Sequence, residues 1–268
     1  MATVLIEEDN LVKLAGVIRQ KNGTSRNYHP DEMAQAILDL PTDGSSDADE
    51  TTVEVLNNTI TDFEDPNRKV RTVGTYAMYH ASNLRSIDLP VCNSVQAYGF
   101  CGDTNLTTIS IPNCTSVQAH AFDGCSGLVN LGSIRISSIG DYAFAGTTFS
   151  AYFTSAGGSV NNYAFHNNTH LREISFGSAV SFYTNCFAGC SNLESVTLSG
   201  STRSTVYSQQ SAATLFAGTK VLTTGHIYVP ENMIEKYLED PSWIPVADRI
   251  TAIPQPEPGP DPDPEQQG

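Results

Sequence analysis

A chain of 268 residues with a net charge of −15 at neutral pH and 40% hydrophobic side chains has enough apolar material for one sizeable core and is not of disordered composition. The charge sits at the ends: residues 1–50 hold ten acidic and four basic side chains, whereas 73–229 are nearly balanced, with six and five. No basic stripe exists to neutralise phosphates and no apolar run approaches the roughly 20 residues that span a bilayer, so neither nucleic acid nor membrane insertion is expected.

In chain order, residues 1–41 come first. The start, MATVLIEED, lacks a basic flank and turns acidic early, so a signal peptide is not expected and synthesis in the cytosol is. Leu11, Leu14, Ala15 and Ile18 follow helical spacing, as do Met33, Ile37 and Leu40 after a loop of Asn, Gly and Ser. Pro30 suits a first helical position, Asp31 and Glu32 suit the positive end of the dipole, and Pro41 stops the element. A helical hairpin of this size buries too little surface to stand alone. Leu11, Leu14, Ile18, Met33, Ile37 and Leu40 are therefore candidates for attachment to a partner, to copies of the chain, or to the end of the following domain. Residues 42–52 (TDGSSDADETT) read as an acidic linker, and 53–72 contain a strand-like piece, Val53 to Phe63, expected to cap the next domain and hide its edge.

From residue 73 the sequence repeats. Val73, Val95, Val117, Ile139, Val160 and Phe182 open successive copies of a unit about 22 residues long, each with a small residue and then Phe or Met a few positions on: Ala77-Met78, Gly99-Phe100, Ala121-Phe122, Ala143-Phe144, Ala164-Phe165 and Cys186-Phe187. Leu84, Leu106, Leu128, Leu171 and Leu193 follow, each leading into alternating apolar residues such as Ile87-x-Leu89, Ile109-x-Ile111 and Val196-x-Leu198. The fourth copy lacks its leucine, and a stretched seventh runs through Leu215, Phe216, Leu222 and Ile227-x-Val229. Each unit reads as one coil of a solenoid, with a short strand on one wall, a turn-rich opposite wall and the aromatic between them. Gly102, Gly124, Gly146 and Gly189 suit turns with positive φ. The fold class is thus mainly β with short helices: a leucine-rich-repeat solenoid of about seven coils, preceded by the helical hairpin.

Ala121-Phe-Asp-Gly-Cys-Ser-Gly-Leu128 and Cys186-Phe-Ala-Gly-Cys-Ser-Asn-Leu193 resemble the BspA-type leucine-rich repeat across 73–230. The stretch 231–253 resembles the end piece of such proteins, which implies a helix from about Glu231 to Leu238, a segment around Trp243 and a last strand near Ile250 to Ile253. That resemblance implies binding to other macromolecules, not catalysis. The run Ala15-Gly-Val-Ile-Arg-Gln-Lys-Asn-Gly-Thr and the later Tyr28-His-Pro-Asp-Glu-Met-Ala-Gln-Ala-Ile resemble the short leader of phage tail and fibre proteins, which implies a place on a virion. The Pro-rich acidic stretch 254–268 is expected to be an extended tail or connector.

No Ser-His-Asp order, phosphate loop or His-Glu-x-x-His is present, and the acidic pairs Glu64-Asp65 and Asp43 with Asp47 fall in loops. The six cysteines mostly occupy small apolar repeat positions, Cys186 and Cys190 have no second pair to complete a zinc set, and the histidines fall in turn-like segments. No enzyme, cofactor or metal is therefore expected. Two outward arrays are candidates for binding. Strand positions including Ser86, Asp88, Thr108, Ser110, Glu173, Ser175, Ser195 and Thr197 form a polar sheet face that solvation alone explains. Tyr76, Tyr98, His120, Tyr142 and Tyr163 recur at one repeat position and should stack into a ladder that serves inter-coil packing or offers hydroxyls to a ligand. Tyr152, Phe153 and Tyr183 add aromatic surface where the register breaks. Three roles follow: a virion appendage binding a host-surface protein or glycan, a purely structural virion component, or a bacterial surface adhesin.

Overall fold

A computed structural model describes residues 62–64 and 70–255, apart from 76, 130, 132–134, 150–152, 156–157 and 208–209. The attachment candidates Leu11, Leu14, Ile18, Met33, Ile37 and Leu40, together with Tyr76, Tyr152 and the stretch 256–268, lie outside the described residues.

The described chain is a parallel β-solenoid with two walls. One is a seven-stranded sheet of β2 (Thr72–Val73), β4 (Ser94–Val95), β6 (Ser116–Val117), β7 (Ser138–Ile139), β9 (Gly158–Val160), β11 (Val180–Phe182) and β13 (Thr205–Val206), one strand per coil. Their registers align Val73, Val95, Val117, Ile139, Val160, Phe182 and Val206 in a single row. The opposite wall is divided. β1 (Asp62–Glu64), β3 (Ser86–Asp88) and β5 (Thr108–Ser110) form one sheet; β8 (Phe153–Ser155), β10 (Glu173–Phe176), β12 (Ser195–Leu198), β14 (His226–Val229) and β15 (Ile250–Ala252) form another. The third coil contributes no strand to it among the described residues.

Every coil repeats because its buried residues form columns. Phe100, Phe122, Phe144, Phe165, Phe187 and Phe216 stack face to face at centroid separations of 5.1 to 5.5 Å and are fully buried. Each stacked pair contributes about 0.5–1.5 kcal/mol beyond the area it buries. Leu84, Leu106, Leu128, Leu171 and Leu193 form a second buried column. The missing leucine of the fourth coil is replaced by Phe149, one position early, which is buried and meets Phe144 and Phe165 edge-on at 5.7 and 6.3 Å. The core therefore continues through the coil whose sequence departs from the pattern.

Backbone groups are satisfied between coils. Beyond the strands, Tyr98, Phe100 and Gly102 donate N–H to Ala119, Ala121 and Asp123 oxygens at 3.1, 2.8 and 2.8 Å, and His120, Phe122 and Gly124 repeat the pattern one coil later. At the corners side chains staple coil to coil: Asn105, Asn113 and Asn192 Nδ2 donate to the carbonyls of Ser82, Pro90 and Thr169. Since a single coil leaves all these groups unpaired, stability resides in the interfaces.

Both ends of the strand wall carry extra rungs. β1 pairs with β3 in parallel register, Asp62 opposite Ser86, and so extends the wall as a further rung. At the other end a 3-10 turn (Glu231–Met233), helix α2 (Ile234–Leu238) and a 3-10 segment (Ile244–Arg249) lead into β15, beside β14. The stretched seventh coil has the short helix α1 (Ala212–Leu215) and a 3-10 turn (Lys220–Leu222), with Leu215, Phe216 and Val221 buried.

Candidate functional site

The repeated aromatic position forms a real stack. Tyr98 and His120 rings lie 4.7 Å apart at 3°, His120 and Tyr142 4.9 Å at 7°, and Tyr142 and Tyr163 4.9 Å at 12°. All four side chains are half-buried, so one edge of the row borders solvent. Asn185 continues the row and donates from Nδ2 to the Tyr163 hydroxyl at 3.1 Å. His120 Nδ1 lies 2.8 Å from Asp123 Oδ2.

The backbone explains how four rings come to stand in line. Tyr98, His120, Tyr142, Tyr163 and Asn185 have φ between 51° and 59°, the left-handed region that bulky residues rarely occupy. Tyr98 is the third residue of a turn closed by the Gly99 N–H to Gln96 carbonyl bond, and the same turn recurs around Tyr142 and Tyr163. Reversing the chain there aims the N–H of residues 98, 100 and 102 at the next coil. Four positions later a second left-handed column holds His80, Gly102, Gly124, Gly146, Asn167, Gly189 and Gly218. The glycines expected there do have positive φ, and a Cβ on Gly102 would collide with the His80 ring.

Of the other aromatic candidates, Tyr183 is half-buried and stacks on exposed Tyr207 at 5.1 Å, and Phe153 begins β8 at the register position of Ile174. Neither joins the row from Tyr98 to Tyr163.

The strand wall carries a second feature. Glu173, Ser195 and His226 stand in register on β10, β12 and β14, followed by the row Ser175, Thr197, Tyr228 and Thr251. Ser175, expected on the outward polar face, holds that register position between two neighbouring strands and is covered there, at 6% exposure. Glu173, Glu194, Ser195, Thr197, His226, Tyr228, Ile253 and Pro254 border an open hollow of about 410 Å³. His226 thus lies on a strand, not in a turn. The outward placement of His226 and Tyr228 is legible in the alternation His226-x-Tyr228 against Ile227-x-Val229. The contribution of Ile253 and Pro254 depends on how the last strand lies and carries no local signal.

The titratable interior is structural. Five cysteines are buried and Cys101 is half-buried. Burial pushes the Cys114 and Cys190 thiols up to about 12, and burial followed by the nearby Asp123 and Asp103 charges raises Cys101 to about 11. Such thiols are not nucleophiles near neutrality. Cys125 and Cys190 donate to the Phe100 and Phe165 carbonyls at 2.9 and 3.0 Å. Asp103 at the same repeat position is fully buried; Oδ1 accepts the Ala81 N–H at 2.6 Å and Oδ2 has no partner. Desolvation raises this carboxyl to about 8. Among the described residues no three His, Cys, Asp or Glu side chains converge as a metal site, and no helix is long and apolar enough to cross a membrane.

Coiled walls of parallel strands around leucine and phenylalanine columns define a leucine-rich-repeat solenoid. The chain belongs to the family described as BspA type Leucine rich repeat region, whose model matches six copies over residues 56–151 and 115–233. Comparison with curated protein sequences returns no match. Among solved structures, a leucine-rich repeat protein from Bacteroides ovatus ATCC 8483 aligns over 70% of this chain and 56% of its own length, with 18% identity and a TM-score of 0.46. The T. pallidum Leucine Rich Repeat protein aligns over 64% and 85%, with 19% identity and a TM-score of 0.49. The chain therefore spans little more than half the length of the first of these. Its fold is suited to binding proteins.

Proposed function

We propose that this chain is a non-catalytic adhesion module of a bacteriophage particle, attached to the virion or to copies of itself through residues 1–41, with the solenoid binding a host-surface protein or glycan. The observation that carries the binding half of this reading is the row Tyr98, His120, Tyr142 and Tyr163: four parallel rings, half-buried, held at the surface in a backbone conformation costly for bulky side chains. Rings stacked face to face at spacings of about 4.9 Å offer repeated tyrosine hydroxyls along one side of a rigid rod. The virion half is supported by the leader-like sequence of residues 15–37.

The test uses the intact chain and a Tyr98→Asn, Tyr142→Asn, Tyr163→Asn variant, because asparagine already occupies this position at Asn185 and tolerates positive φ. Labelled protein is titrated onto a panel of bacterial strains, with cooperative thermal unfolding as the check on fold. Saturable binding by the intact chain and a drop of about tenfold or more in the variant are expected, the scale of losing a small cluster of contact residues. Equal binding by both would remove the ladder as the contact. Absence of the chain from purified particles by mass spectrometry would remove the virion role.

A further inference from the structure

The geometry points to a second contact site, on the strand wall beside the C-terminal end, which takes a lysine- or arginine-bearing segment of a partner polypeptide. Nothing in the ladder reading requires it, and its fate is separable, since the two features occupy different walls.

The hollow of about 410 Å³ is bordered by two acidic residues, Glu173 and Glu194, and by His226 and Tyr228, whose ring centroids lie 5.8 Å apart. Glu173 and Glu194 are exposed, and neither makes an ion pair among the described residues. Arg172 shares Glu194's register position one rung earlier, yet no ion pair joins it to either carboxylate. Ser195 and Thr197 lie between with half-buried hydroxyls. Two exposed carboxylates that make no ion pair, close to two rings, form a receptor for a cation: the carboxylates attract it, a guanidinium matches a carboxylate in bidentate geometry, and an aromatic ring adds cation–π attraction. A neutral ligand would leave both charges without use. An extended polypeptide crossing the rungs of β10, β12 and β14 places one basic side chain in the hollow.

Fluorescence anisotropy with a labelled, capped tetra-arginine peptide and the full chain, at about 0.15 M salt where surface charges beyond about 8 Å are screened, tests this. Wild-type protein is expected to saturate, and Glu173→Gln with Glu194→Gln to weaken binding about tenfold. Asp62→Asn with Asp88→Asn removes the same charge from the far end of this wall and is expected to change binding less than about twofold. Tyr228→Ala weakens binding severalfold while Tyr228→Phe retains it, because the ring face and not the hydroxyl is used. Equal losses from both charge pairs would reduce the effect to the overall negative charge and overturn the site. So would an unsaturable wild-type titration, or preference for a neutral chito-oligosaccharide over the peptide.

Discussion

Residues at special backbone positions tell most about what each coil demands. At the ladder position the turn requires φ near 55°, and Tyr, His and Asn all meet it. A β-branched residue there clashes with its own backbone, at a cost of about 1–2 kcal/mol relative to a residue that tolerates the left-handed region. Tyr142→Val is therefore expected to destabilise the chain by about 1–2 kcal/mol more than Tyr142→Asn, although valine keeps more apolar surface. Urea unfolding of the two variants checks this, and equal midpoints would mean the backbone conformation is not limiting. Asp103 sits in another column, with Ala81, Cys125, Thr147, Asn168, Cys190 and Thr219 as its equivalents. Its carboxyl titrates near 8 in the fold against an ordinary value of 3.8, so the folded chain holds a proton that the unfolded chain releases. Stability from this group is complete below about 4 and is lost as pH rises towards 8, with a slope of at most about 1.4 kcal/mol per unit. Asp103→Asn, which copies the residue at Asn168, is expected to flatten that slope. Urea titrations of both proteins from pH 4.5 to 8, compared by difference, measure it; parallel curves would show that Asp103 is not protonated in the fold.

Among the elements, the C-terminal cap shows how little local sequence reveals about a junction. Ser204 is buried just before β13; its N–H donates to the Tyr237 hydroxyl at 2.9 Å, its carbonyl accepts from Trp243 Nε1 at 3.1 Å, and its Oγ accepts the Val180 N–H at 3.1 Å. Tyr237 and Trp243 meet edge-on at 4.9 Å, and Arg203 pairs with Asp240 at 2.7 Å. Tyr237→Phe leaves the Ser204 N–H buried without a partner and is expected to cost about 1–3 kcal/mol, read as a lowered thermal midpoint with the fold retained. An unchanged midpoint would mean another group satisfies that N–H. The helix near 231–238 and the strand near 250 are implied by the resemblance of 231–253 to the end piece of this repeat family, not by local spacing. The Ser204 junction is not legible in the sequence, because its partners lie 33 and 39 residues away. The same division runs through the sites. Recurrence at 22-residue spacing exposes the Tyr98 to Tyr163 row, whereas its positive φ is masked because tyrosine gives no hint of a left-handed turn; only Asn185 in the same column does. The buried Ser175 and the Phe149 substitution both arise from packing between coils that no single segment encodes.

For the whole molecule, period and register are the same fact. Ser94 precedes Val95 just as Ser116 precedes Val117, and both valines occupy one row of the seven-stranded wall. Excising 95–116 therefore joins Ser94 to Val117 with every buried column intact but one rung shorter. His80, which now faces Gly102, would face Gly124, again a glycine with positive φ and room for the ring. Because each coil bonds only its neighbours, the excised protein exchanges two interfaces for one matching interface, a net loss of one. It is expected to unfold cooperatively with a lower midpoint and a smaller urea m-value, in proportion to the surface removed. Excision of 95–105, half a period, places turn residues against strands and apolar residues against solvent, since the walls alternate within each coil. That protein is expected to lose cooperative unfolding altogether. Circular dichroism with urea titration distinguishes the two, and identical behaviour of the full-period and half-period excisions would contradict a stack held together by repeat register.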